Sequence, residues 1–136
     1  MSKVNDFLTA AGVFFLATAD GDQPKVRPLG FHMEMEGKVM FGVGQFKDVY
    51  KQLVANPKVE IVAAKPDGHW LRYTGTAVFD DEPEYTEKAF ETMPQLREIY
   101  TDTSIMGVFH IENATAVEIP MAVTPFHGGR SQPRSE

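Results

Sequence analysis

The sequence predicts a mainly β protein, an antiparallel barrel interrupted by short helices, on three observations. Seven stretches are rich in β-branched and aromatic residues or alternate apolar with polar. Short turn signals join most of them, among them Asp20-Gly21, Glu36-Gly37 and Lys65-Pro66-Asp67-Gly68. The helical stretches enter only as interruptions between the strands. At 136 residues the chain fits one domain, 1–136, with a single sizeable core.

Ser2 to Ala11 spaces Val4, Phe7, Leu8 and Ala11 as an amphipathic helix, and Gly12 suits its end. Val13–Ala19 (VFFLATA) is the first strand. Val26–Met35 is the second, with Leu29, Phe31, Met33 and Met35 on one side and Arg27 on that same side. Lys38–Val43 returns as a third strand. A helix opens near Phe46 and ends at Asn56-Pro57, since a residue before proline avoids the helical region. Val59, Ile61 and Ala63 mark a fourth strand, and His69–Phe79 a fifth. Asp80 to Glu84 starts a helix with Tyr85, Ala89 and Phe90 inward, and Met93-Pro94 interrupts it. Gln95–Tyr100 is a further turn of helix. Met106–Ile111 and Thr115–Ile119 are read as a strand pair around Glu112-Asn113, and the tail 124–136 as loose at its end. The methionines at 33, 35 and 40 are read as core filling.

Composition narrows the function classes. A net charge of -6 argues against a nucleic-acid partner, which calls for a basic face. The absence of cysteine removes disulfides, thiolate metal sites and cysteine nucleophiles. The opening MSKVNDF lacks a signal peptide's apolar core, and VFFLA is too short to span a bilayer, so a soluble cytoplasmic protein is expected. His32, His69, His110 and His127 are scattered without H-x-x-x-H spacing, and no metal site is expected.

Within this acidic chain, positive charge gathers in one stretch, KVRPLGFHMEMEGKVMFGVGQFKDVYKQ, Lys25 to Gln52. Arg27 stands where the strand pattern asks for a hydrocarbon, and needs an anionic partner or a route to water. Lys47 and Lys51 lie four apart at a helix start behind Gly42 and Gly44. A helix N-terminus behind a glycine loop offers N–H groups to a phosphate. Two readings stand: a small anionic ligand, or ordinary ion pairs and a solvated helix face. Gly42-Val43-Gly44 is neither a dinucleotide fingerprint nor a Walker loop. Trp70 suits core or interface packing as well as a stacking contact.

The order VFFLATADGDQPKVRPLGF, KVMFGVGQFKDVYKQLVANPKVEI and GHWLRYTGTAVF resembles the pyridoxamine 5′-phosphate oxidase-like FMN-binding split-barrel family, from about Val13 to Ile119. The resemblance implies a six-stranded split barrel and a homodimer with FMN in clefts at its interface. It lays Arg27, Pro28, Leu29 and Gly30 along the flavin, gives the phosphate to Gly42, Val43, Lys47 and Lys51, and brings Trp70 to the flavin across the interface. Many members carry Thr where Val43 aligns, so the contact falls here to backbone N–H groups and lysines. The oxidase proper closes with an Arg-Leu-His motif, absent from TPFHGGRSQPRSE. The resemblance therefore implies a flavin oxidoreductase with a small organic acceptor, NAD(P)H as a candidate donor and no assigned catalytic residue. Alternatives are a flavin carrier or sensor without turnover, or a barrel holding F420 or haem.

Overall fold

The computed structural model describes residues 3–100 and 106–120; the tail 124–136, with His127 in it, lies outside these. Helix α1 (Lys3–Ala11) buries Phe7 and Leu8 and ends at Gly12, whose φ of 87° suits a residue without a side chain. Strands β1 (Phe14–Asp20) and β2 (Gln23–Leu29) form the first hairpin, and β3 (His32–Met35) and β4 (Lys38–Gly44) the second. Helix α2 (Asp48–Ala55) precedes a third hairpin, β5 (Lys58–Ala64) and β6 (Trp70–Phe79). Helices α3 (Pro83–Thr92) and α4 (Leu96–Ile99) lead to β7 (Met106–Ile119).

All seven strands form one antiparallel sheet in the order β2-β1-β5-β6-β7-β4-β3. The two edge strands, β2 and β3, are consecutive in the chain and joined by Gly30 and Phe31 alone. Three Cα steps let Leu29 and His32 lie at most about 11 Å apart. A flat sheet would hold its edges about 29 Å apart, at ~4.8 Å per strand. The sheet must therefore curl until its edges meet, yet β2 and β3 share no ladder. This is a split barrel, with its seam at Gly30-Phe31.

The strand count corrects the six implied by the resemblance. It also redivides the seven candidates. The single strand expected over Val26–Met35 is broken at the seam into β2 and β3. The pair expected at Met106–Ile111 and Thr115–Ile119 is one continuous β7. Asn113, at φ 53°, takes up the bend, and two β7 residues face one on β6 where the register shifts between Thr74 and Thr76. Gly75 makes the bulge possible: a Cβ there would sit 2.7 Å from the Glu112 carbonyl oxygen.

Two clusters form the core. Inside the barrel, Phe14, Phe41 and Phe109 are fully buried, with ring centroids 5.6 Å and 5.5 Å apart along the row. The second cluster packs Phe31, Met33, Met40, Met106 and Val108 under Ala89, Phe90 and Leu96 of α3 and α4. Two polar ties hold that helical segment. The Tyr85 hydroxyl donates to Glu36 Oε1 at 3.0 Å, which pushes its phenol pKa up to about 12. Buried His110 bridges Asp80 (2.8 Å) and Glu112 (3.0 Å), so β7 is tied to the segment that enters α3.

His32 ties α1 to the barrel: its Nδ1 lies 2.7 Å from Asn5 Oδ1 and its ring meets Phe14 edge-on at 6.0 Å. Burial lowers its pKa below the ordinary 6.5. The unfolded chain therefore takes up the proton first as pH falls. The stability from neutral His32 is complete above about pH 6.5 and is lost as pH drops below that value. Urea melts of wild type and His32→Gln between about pH 5 and 7.5 test this. The wild type should lose stability more steeply on acidification; parallel curves would rule the linkage out.

Candidate anion-binding site

The site forms where the inner face of β2 meets the start of α2. Arg27 pairs with Leu16 in the β1–β2 ladder and Lys25 with Thr18, so both cations point to the side on which Leu16 and Thr18 are buried. A cavity of about 400 Å³ opens there, lined by Asp20, Lys25, Arg27, Lys47, Asp48, Val49 and Gln52. It adjoins a larger one, about 610 Å³, which shares Asp20, Asp48 and Gln52 and adds Lys51 and Asn56.

Arg27 is half-buried, and its hydrogen bonds go to neutral oxygens. Nη1 donates to the Leu16 carbonyl (3.1 Å) and to Thr18 Oγ1 (2.8 Å), and Nη2 to Gln52 Oε1 (2.8 Å). No carboxylate among the described residues forms an ion pair with it, which answers the ion-pair reading of the sequence. Burial lowers the guanidinium pKa, though arginine stays charged at any physiological pH.

Lys47 is the N-cap of α2, and no side chain caps the helix there. Ser, Thr, Asp or Asn usually supply an oxygen for the first helical N–H groups, and a lysine has no acceptor to offer. The Tyr50 N–H bonds the Lys47 carbonyl at 3.1 Å. The positive end of the helix dipole thus faces a cavity that already carries Lys25, Arg27 and Lys47. Asp20 and Asp48 on the rim offset part of that charge.

The other sequence candidates are spread around this centre. Lys51 lines the adjoining cavity. Pro28 lies exposed on the outer face of β2, and Leu29 packs partly against the barrel core. Gly30 forms the seam with open space around it. Gly42 faces the second core, where a Cβ would strike Met106 Cε and meet Phe31 at 3.4 Å. Val43 is buried in the barrel core. Trp70 opens β6 on the outer side of the sheet, under the Arg72 guanidinium at 5.0 Å from its ring centroid, and does not line the cavity.

Lys25, Thr18 and Gln52 were not singled out from sequence. Thr18 and Lys25 sit in strands that read as ordinary. Gln52 carried a faint signal: it falls beside Val49 and Leu53 on the apolar side of α2, where a polar side chain must find a partner.

Curled sheet, open seam and cation-lined cavity define a small split-barrel protein. The chain belongs to the pyridoxamine 5′-phosphate oxidase family: the family model described as Pyridoxamine 5′-phosphate oxidase matches residues 1–119. A NimC/NimA family protein from Clostridium acetobutylicum is 37% identical, with a TM-score of 0.84 over 90% of this chain and 86% of that one. Two more distant structures share the fold. A putative pyridoxamine 5′-phosphate oxidase from Listeria innocua is 18% identical, with a TM-score of 0.66 over 85% of this chain and 95% of that one. HutZ from Vibrio cholerae, described as a haem storage protein, is 12% identical, with a TM-score of 0.66 over 88% and 95%. Among curated proteins, none matches. No helix among the described residues is long and apolar enough to cross a membrane.

Proposed function

We propose that this chain is an FMN-binding flavoprotein that passes hydride or electrons through the flavin to a small organic acceptor. The observation that carries the reading is the cavity at the uncapped start of α2, where Lys25, Arg27 and Lys47 converge without a carboxylate paired to Arg27. That donor set fits a phosphate dianion: Arg27 supplies a planar fork, Lys47 a point charge and α2 its first N–H groups. Pro28, Leu29 and Gly30 would border the ring system, and Trp70 of the partner subunit would reach it across the interface. Bound FMN would supply the redox chemistry at its N5. The chain's own residues anchor the phosphate, fix the ring and exclude water from it.

The second copy is part of the proposal. Across the outer face of β2-β1-β5-β6-β7, one register row reads Pro28, Phe15, Val62, Arg72 and Val117. Val13, Phe15, Val26 and Val117 are 53%, 45%, 66% and 44% exposed on a single chain. Exposed apolar side chains gathered on one face suit a self-complementary interface. Arg72 lies in this row with its charge paired to Glu60 at 3.1 Å and its plane over Trp70.

On this reading the acceptor would be a small oxidised organic such as a nitroaromatic or quinone, with NADH or NADPH as donor. Haem is the weaker reading: both ring nitrogens of His110 face carboxylates, those of His32 face Asn5 and Thr9, and His69, whose Nδ1 lies 3.2 Å from Asp67, lines neither cavity. An absorbance spectrum of the purified protein with an FMN titration tests the proposal. Flavin bands at about 375 and 450 nm, or tight FMN uptake, are expected, the chromophore being the cofactor's own. A protein indifferent to FMN, or one showing a haem band, would overturn it.

A further inference from the structure

Arg27 is held in an unusual way for a half-buried cation. Thr18 and Gln52, 5% and 8% exposed, form a closed triangle with it. The Thr18 hydroxyl donates to Gln52 Oε1 at 2.6 Å, and each of those two oxygens accepts from a different terminal nitrogen of Arg27, at 2.8 Å. The Leu16 carbonyl takes the second Nη1 hydrogen at 3.1 Å. Three of the five guanidinium N–H donors are thereby used. Among the described residues, Nε–H and the second Nη2 hydrogen have no acceptor. These two are neighbours on one edge of the plane and match two oxygens of a phosphate.

A glutamate in place of Gln52 would satisfy the same two donors. It would also cancel the charge of Arg27, and removing a carboxylate from a buried cation ordinarily costs stability. The glutamine keeps the geometry and leaves Arg27 without a directly paired carboxylate. We infer that Gln52, with Thr18, positions Arg27 and sets the specificity of the cavity for a dianionic phosphate group, so that phosphorylated flavin is held more tightly than riboflavin. This rests on the flavin reading for the ligand's name only, since the triangle itself selects for charge.

Gln52→Glu tests it, because the change adds one charge at nearly constant shape. Two probes are used on the full chain: FMN against riboflavin, and inorganic phosphate against chloride at equal ionic strength. For wild type, phosphate should raise the Tm and FMN should bind more tightly than riboflavin. In Q52E the phosphate-induced Tm rise should vanish and FMN affinity should fall at least tenfold, with riboflavin affinity changed less than twofold. Thr18→Val, which keeps the shape and removes the hydroxyl, should lower FMN affinity several-fold and leave riboflavin alone. It serves as the decisive variant if Q52E does not fold. Equal loss of both flavins would mean that the triangle is merely structural, and undiminished FMN binding in the variants would equally overturn the inference. A wild type that binds no flavin but is stabilised by phosphate in a Gln52-dependent way would remove the flavin proposal and leave this one standing. A wild type indifferent to phosphate and FMN alike would remove both.

Discussion

Replacing Arg27 and Lys47 together by alanine should weaken FMN binding at least tenfold. Hydrogen bonds to charged groups contribute on the order of 1.5–3 kcal/mol each. Two lost contacts would approach ~3–6 kcal/mol if both were fully desolvated. They are not: the cavity is open and Arg27 is only half-buried, so solvent screens part of the effect. A tenfold loss, ~1.4 kcal/mol, is therefore the floor. Titration of the double variant by flavin fluorescence measures it, and an unchanged affinity would remove the site assignment. Because alanine at position 27 also takes from Thr18 and Gln52 the donor they share and leaves only their mutual hydrogen bond, a thermal melt must accompany the titration. The single variant Lys47→Ala serves as the control. It disturbs no side-chain cap, since α2 has none, and should lose affinity without losing stability.

The second large effect is expected at Phe15. Phe15→Glu should turn a dimer into a monomer and abolish tight FMN binding with it. Phe15 lies between Pro28 and Val62 in the outer row of the sheet, 45% exposed, with its neighbours Phe14 and Leu16 turned into the core. A glutamate there costs a single barrel little, because the side chain points away from the packed interior. Against a second copy the same carboxylate would be buried among apolar groups without a partner, which is strongly unfavourable. Sedimentation velocity distinguishes the outcomes: wild type at dimer mass and the variant at monomer mass, with unchanged far-UV circular dichroism. A wild-type monomer that carries FMN would contradict the interface, and so would a variant that stays dimeric.

The strands were legible because alternation survives in them. Val59, Ile61 and Ala63 are buried as their spacing requires. What could not be read was where the chain changes partner. Leu29, Phe31, Met33 and Met35 keep a perfect period of two across the seam, so Gly30 looked like a strand interior. Yet the residues before it pair with β1 and those after it with β4. Conversely, Glu112-Asn113 resembles a turn, and only the pairing with β6 shows that the chain runs on through a bulge. Local pattern reports the face of a strand and is silent about its neighbour.

The site divides along the same line. Arg27 stood out because a cation interrupted an apolar row, and Lys47 because it opened a helix. Lys25 carried no such contrast, and Thr18 matters only because β1 brings it opposite Lys25 and within reach of α2. Neither partner of Arg27 is near it in sequence. Val43 also takes on a clearer meaning: in the barrel core, valine packs where a hydroxyl would need an acceptor.

The order of strands also bears on how the chain finds its shape. Three pairings, β1–β2, β3–β4 and β5–β6, are hairpins that close over short turns and form quickly. The remaining ladders join distant segments: Phe14 meets Ala63, and Met40 meets His110. Closing those large loops costs chain entropy before any contact repays it. Folding should then be a slow docking of three early hairpins, completed when β7 inserts between β6 and β4. Until that last strand arrives, the flanks of β6 and β4 are unpaired edges on which another chain could add itself.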